Sequence, residues 1–185
     1  MRPLGHARVG GEPAPAAETR QATAGRFVLL ESAVRAGHAT SDAVVKQFGT
    51  ADPLRLAEAI GIRLELKERC RDNPRLRSEV LADPPTIVLY VDALGELSRL
   101  LALRAPRLNS VPLDTIAVAI ELYRYLERGR RDLLRGVKPG WPRVAREVAA
   151  HAFAQDLLEL PFFPAEIDAV DRLARTPIHL GVRRG

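Results

Sequence analysis

The stretch Leu113-Asp-Thr-Ile-Ala-Val-Ala-Ile-Glu-Leu-Tyr-Arg-Tyr-Leu126 decides the fold of this 185-residue chain. Its side chains are apolar almost all the way round a helical repeat, which predicts a helix buried in the core, with Asp114 as its cap. A second long helix is predicted over about 142–160, because Pro161 follows it. We expect these two helices to pack together as the centre of the protein.

Glycines divide the sequence that precedes these helices. Three short helices are predicted, which end at Gly37, Gly49 and Gly61, with Gly37 as a left-handed cap. The third helix has the clearest start, since Asp52 supplies a capping carboxylate and Pro53 suits the first helical turn.

The repeat changes from helical to alternating after Gly61. Apolar and charged residues alternate over 62–67, which predicts a half-buried strand, and the β-branched stretch over 86–91 predicts a more buried one. The polar segment 69–85 is expected to be a loop. Shorter helices are expected over about 95–104 and 166–174.

Composition and these elements together give the domain organisation. With 28% charged and 46% apolar residues the chain is typical of a soluble globular protein. Residues 1–23 are rich in Gly and Pro and predict a flexible arm, residues 24–175 a single mostly helical α+β domain with a small sheet, and 176–185 a tail. The single cysteine, Cys70, excludes an internal disulfide and a cysteine-based zinc cluster. The lack of a membrane-spanning stretch or an apolar signal core predicts a cytoplasmic protein without a membrane partner.

Three phrases in this order resemble the ImmA/IrrE-type metallopeptidases over residues 24–160. They are Asp52-Pro-Leu-Arg-Leu-Ala-Glu-Ala-Ile-Gly-Ile62, Ala119-Ile-Glu-Leu-Tyr-Arg-Tyr-Leu126 and Glu147-Val-Ala-Ala-His-Ala-Phe-Ala-Gln-Asp-Leu-Leu158. The resemblance implies a zincin-like fold, with a small sheet on two core helices. In the family, the first core helix carries His-Glu-x-x-His, whose histidines hold zinc, and the second supplies a glutamate ligand.

The chain departs from this motif where the family binds its metal. Ile120 and Arg124 stand at the two histidine positions, while Glu121 keeps the position of the base and Glu147 that of the third ligand. An isoleucine cannot bind a metal ion, and a guanidinium repels one. The nearby His151, one turn beyond Glu147, adds too few ligands for structural zinc. We therefore expect no native metal, no cofactor and no peptide hydrolysis.

Two interpretations of Glu121, Arg124 and Glu147 remain open. The three side chains lie either on a solvated helix edge or in a salt bridge that replaces the metal. Glu121 and Arg124 are neighbours on one helix face, being three residues apart. If the family fold holds, Glu147 points at them, and Arg124 holds together two carboxylates that would otherwise repel each other.

A basic segment over 124–146 supports a different class of function. Trp141 lies within it, and the residues proposed to contact nucleic acid are Arg128, Arg130, Arg131, Arg135 and Lys138. A solvated connection anchored by Trp141 is the alternative. A helix-turn-helix over 41–62 is disfavoured, because a strand pattern follows where a recognition helix is needed.

The sequence thus predicts a catalytically inactive metallopeptidase-like protein that acts as a binding or regulatory module. The resemblance implies a helix-turn-helix regulator as its protein partner. The alternative is a nucleic-acid-binding transcriptional regulator that uses the basic segment.

Overall fold

The computed structural model describes residues 15–176, with side chains from residue 23 onward. The mixed α+β fold with a small sheet, expected from the sequence, is confirmed. In chain order the elements are α1 (Pro15–Phe48), α2 (Pro53–Ile60), β1 (Arg63–Lys67), β2 (Ser78–Ala82), β3 (Pro85–Tyr90), α3 (Val91–Arg104), a 3-10 turn (Pro106–Asn109), α4 (Leu113–Gly129), α5 (Arg143–Leu157) and α6 (Ala165–Arg175).

The sheet has the strand order β1-β3-β2. β1 pairs in parallel with β3, with Arg63 opposite Thr86, and β2 pairs antiparallel with β3, with Ser78 opposite Leu89. β3 is therefore the central strand, and it is almost entirely buried. This arrangement leaves β1 and β2 as the two edges of the sheet.

α4 forms the centre of the domain, as its apolar sequence predicts. It packs against β2 and β3 and also against α5, and nine of its residues are buried. Its start differs from the expectation: Pro112 is the N-cap, and Asp114 lies in the first turn, where its carboxylate accepts a hydrogen bond from the Thr115 amide. The start of α2 is as expected, since Asp52 accepts from the Leu54 amide at 2.8 Å and Gly61 ends the helix at φ 83°.

The expected helix break at Gly37 is wrong. α1 runs without interruption from Pro15 to Phe48, and Gly37 lies in its interior against α5. The glycine is needed there for close packing of two backbones, because a Cβ would meet α5. Gly49, at φ 70°, does end the helix as predicted.

The sheet contains one strand more than the two that the sequence predicts. The segment expected as a loop over 69–85 contains β2, which completes the sheet. β1 occupies the expected position, but all five of its residues are exposed rather than half-buried, and only Ile62, just before it, is in the core. Among the helices of residues 15–176, only the adjacent α2 makes more than slight contact with β1.

The predicted ends of several elements also differ. α3 begins directly after β3 at Val91 instead of 95, and α5 ends at Leu157 instead of 160. Of the expected arm over 1–23, residues 15–23 belong to α1, and residues 1–14 lie outside the described part. The expected tail lies outside it as well, apart from residue 176. Between residues 15 and 176 we find no helix that is both long enough and apolar enough to cross a bilayer.

Candidate functional site

The structure brings Glu121, Arg124 and Glu147 together. α4 supplies the first two residues and α5 the third, and the packing of these helices turns the three side chains toward each other. Arg124 donates through Nη1 to Oε1 of Glu121 at 2.6 Å and through Nη2 to Oε2 of Glu147 at 2.5 Å. The geometry is that of the bridging ion pair, not of a solvated helix edge.

The bridge lies at the boundary between core and solvent. The side chain of Glu121 is 1% exposed, whereas those of Arg124 and Glu147 are 30% and 36% exposed. A buried carboxylate needs partners that replace its water. Glu121 obtains them from Arg124 and from the Ser78 hydroxyl, which donates to Oε1 at 2.9 Å.

Ser78 was not identified from the sequence, because its segment was expected to be a loop. It lies at the start of β2, and α4 packs beside this strand. No local pattern marks the serine. Only the pairing of β2 with β3 places its hydroxyl next to Glu121.

Arg124 remains a cation in this environment. Burial lowers the pKa of its guanidinium, but the charges and hydrogen bonds of Glu121 and Glu147 outweigh burial and raise the pKa above its usual value. The site therefore contains two carboxylates with one fixed positive charge between them.

These residues do not fit a zinc ion. Zinc requires nitrogen, sulfur or oxygen ligands in a tetrahedral set. Ile120 offers only hydrocarbon, and the Arg124 guanidinium already bonds to both carboxylates that could have served as ligands. The donor set at this place thus differs from that of a metallopeptidase, and we derive no metal-dependent step from it.

A cleft of about 260 Å³ opens beside the bridge, between β2, α4, α5 and α6. Its lining includes the charged side chains Arg77, Arg124, Glu147 and Asp168, and further polar residues, namely Asn73, Arg75, Ser78 and His151. Its apolar lining includes Leu97, Leu113, Ile116, Ala117, Ile120 and Ile167. Ile120 therefore lines this cleft, next to the bridge.

A second ion-pair cluster, missed by sequence reasoning, joins β2 to α6. Arg77, immediately before β2, donates to Oδ1 of Asp168 at 2.5 Å and to Oδ2 of Asp171 at 2.7 Å. Arg175 also bonds to Asp171. Burial raises the pKa of Asp171, but the hydrogen bonds from Arg175 and Arg77 outweigh it, so this pKa lies below its usual value. Arg77 is more than 90 residues from Asp168 and Asp171 in the sequence, so the spacing of these residues does not predict their contact.

His151 lies between the two clusters. It is 8% exposed, with Nε2 3.7 Å from Oδ2 of Asp168 and its ring against Phe163. Nδ1 has no hydrogen-bond partner among the described residues. Burial lowers the pKa of His151; Asp168 and Glu147 oppose this effect, and Arg124 and Arg77 add to it. His151 thus pairs with α6 rather than forming a ligand pair with Glu147.

The proposed nucleic-acid contacts mostly bond within the protein. Arg128 donates to the Val80 carbonyl at 2.9 Å, and Arg130 forms a two-point pair with Asp132. Arg131 and Arg135 donate to backbone carbonyls of their own segment. Lys138 lines a separate depression together with Trp141. Four of the five side chains thus have partners that compete with a phosphate.

No protein-family model, no curated protein and no solved structure matches this chain. The likeness to ImmA/IrrE-type metallopeptidases therefore rests on the quoted phrases and remains a hypothesis.

Proposed function

We propose that the protein is a catalytically inactive, zincin-like relative of the ImmA/IrrE-type metallopeptidases that works as a binding module. One observation carries this proposal: the Arg124 guanidinium sits between Glu121 and Glu147, the two carboxylates at the positions of base and third ligand. The order of elements supports it, because the two helices with the family phrases pack against each other and the first of them, α4, packs against the sheet.

Such an arrangement favours binding over hydrolysis. A general base must have a free lone pair directed at a water molecule. Oε1 of Glu121 instead accepts hydrogen bonds from both Arg124 and Ser78, so this oxygen is not free to act as a base. These bonds hold the carboxylate as part of the structure, with Arg124 shared between it and Glu147.

The adjacent cleft suggests what is bound. Its volume of about 260 Å³ lies below the range of roughly 300–1,000 Å³ typical of small-molecule sites. A lining of this size with both apolar and charged groups fits one or two side chains of a protein partner, an apolar one and a polar one. We propose a cytoplasmic protein partner, and the resemblance favours a helix-turn-helix regulator.

The ancestry can be tested by rebuilding the metal site. The double variant Ile120→His/Arg124→His restores both histidines, with Glu147 as the third ligand. We expect it to bind one zinc ion in calorimetric titration, and the wild type to bind none. Ile120→His/Arg130→His, with the second histidine just beyond the end of α4, is the matched control. Equal zinc binding by both double variants would contradict the proposed relationship.

The binding role needs a separate test. Peptides selected from a random displayed library on the wild type should contain a large apolar residue. Their affinity should fall about tenfold or more for Ile116→Arg, which fills the cleft with a charge, and should not change for the exposed control Arg71→Glu. Selected peptides that bind both variants equally well would show that the cleft is not the binding site.

A further inference from the structure

The outer edge of β1 is an open strand edge. β1 makes its main contacts with β3 and with the neighbouring α2, and its residues have no backbone hydrogen bonds within 15–176 other than those to β3. In a parallel pair only alternate residues bond to the neighbouring strand. The remaining N–H and C=O groups of β1 therefore point away from the sheet and are available to another strand.

On the core face of the sheet, β1 adds apolar side chains that remain exposed. Leu64 lies beside Ile87 and Leu66 beside Leu89, and both residues of β3 are buried. Leu64 and Leu66 are nevertheless 42% and 69% exposed. Two large apolar side chains on an open strand edge form a surface that a further strand would cover.

The opposite edge of the sheet is protected. At β2, the Val80 carbonyl accepts a hydrogen bond from Nη1 of Arg128, and α4 packs alongside. The molecule therefore protects one strand edge with its own side chain and leaves the other open.

The sequence of β1 is complementary to itself when two copies run antiparallel around Leu64. Arg63 then faces Glu65 of the partner subunit, and Glu65 faces the partner's Arg63. Leu64 meets the partner's Leu64, and Leu66 lies opposite the partner's Ile62. Between residues 62 and 66 every cross-strand pair in this register is oppositely charged or apolar, and such pairs stabilise antiparallel strands. A register centred on Glu65 would instead place like charges opposite each other.

We propose that β1 pairs antiparallel with β1 of a second copy of this chain, joining two three-stranded sheets into one of six strands. Glu65 now pairs with Lys67 of its own strand at 3.5 Å, with both side chains nearly half exposed. Exposed pairs of this kind contribute little to stability, so Glu65 can exchange Lys67 for a residue of the partner subunit at small cost. A contact of five residues per copy is smaller than a standard interface, and we expect a dissociation constant on the order of 0.1 mM.

Charge reversal tests the register. Sedimentation equilibrium of the wild type should show a monomer–dimer equilibrium. Arg63→Glu and Glu65→Arg each create two like-charge pairs and should weaken the dimer about tenfold or more. The double variant Arg63→Glu/Glu65→Arg restores both pairs and should recover the dimer. Arg71→Glu, an exposed reversal in the following loop, should have no effect. A wild type that is monomeric at millimolar concentration, or a dimer indifferent to these changes, would overturn the proposal.

A disulfide provides a second readout that does not depend on charge. Opposite residues of antiparallel strands have Cα atoms about 4.5–5.5 Å apart, which a disulfide can span. In a Cys70→Ser background, Leu64→Cys should form a covalent dimer under mild oxidation. Leu81→Cys is the matched control, because Leu81 is exposed to the same degree, at 40% against 42%, but lies on β2. Cross-linking of Leu81→Cys at the same rate, or none of Leu64→Cys, would contradict the pairing; circular dichroism verifies that each variant folds.

Discussion

Gly37 in the middle of α1 lies directly against the backbone of Ala149 in α5. A Cβ at Gly37 would stand 2.4 Å from the Ala149 carbonyl oxygen and 2.8 Å from the Phe153 amide nitrogen. Both neighbours are backbone atoms, so a side-chain rotation cannot make room. This glycine therefore sets the distance between two helices that share the most extensive contact of the domain.

We expect Gly37→Ala to destabilise the protein by about 2 kcal/mol. Overpacking typically costs about 1–3 kcal/mol, and the gain of about 1 kcal/mol in helix propensity offsets only part of a clash with backbone. Gly25→Ala is the matched control in the same helix, because nothing lies within 4 Å of its Cβ. It should stabilise slightly. Urea unfolding measures both, and a Gly37→Ala variant as stable as Gly25→Ala would disprove the close packing.

Arg124→Ala should lower the free energy of unfolding by about 2–3 kcal/mol at pH 7. Breaking a fully buried pair costs about 3–5 kcal/mol and an exposed one about 0–1 kcal/mol; this bridge joins a buried Glu121 to a partly exposed Glu147. The exposed pair Arg130–Asp132 gives the control, and Arg130→Ala should leave stability nearly unchanged, because solvent screens this pair.

The same variant should show a characteristic pH dependence. Without Arg124, two carboxylates face each other, and proton uptake by one of them relieves the repulsion. The difference in stability between wild type and Arg124→Ala should therefore shrink as the pH is lowered from 7 toward 4. A constant difference over this range would mean that Arg124 acts through packing rather than charge.

His151 should make the protein less stable in mild acid. Its pKa in the folded protein lies below the usual 6.5, so below that pH the unfolded chain binds more protons than the native state. Stability is then lost as the pH falls below 6.5, by at most about 1.4 kcal/mol per pH unit for one proton. Asp171, whose pKa is lowered from 3.8, contributes a separate loss at still lower pH.

His151→Phe should flatten this dependence between pH 6.5 and 5. Phenylalanine keeps the ring contact with Phe163 but cannot take up a proton. Thermal melts at a series of pH values measure the slope for both proteins. Identical slopes would show that His151 does not titrate in this range.

The protein should not bind nucleic acid at moderate salt. Four of the five proposed contact residues already donate to carbonyl or carboxylate groups of the chain. Fluorescence anisotropy with duplex DNA should show no binding at about 0.15 M salt, where exposed charges are screened beyond about 8 Å. Binding that weakens with added salt, and is reduced by Lys138→Ala and Arg131→Ala, would revive the alternative of a nucleic-acid regulator.

The sequence predicted those features that depend on interactions between residues close together in the chain. The all-round apolar pattern gave the buried α4, and the Asp52–Pro53 start and the Gly61 end of α2 follow from hydrogen bonds within a few residues. Glu121 and Arg124 could be paired in advance because three residues separate neighbours on one helix face. The prediction that Glu147 lies beside them also required the resemblance to the metallopeptidase family.

Burial and long-range pairing were decided only by the tertiary structure. β2 is a strand because β3 offers it a partner, and that pairing places Ser78 on Glu121 and brings Arg77 to Asp168. Gly37 lies within a helix because α5 leaves no room for a side chain. β1 alternates like a half-buried strand yet is exposed, because among the described helices only the adjacent α2 makes more than slight contact with it. A residue's own sequence neighbours specify its preferred conformation, but which surfaces meet depends on segments far away along the chain.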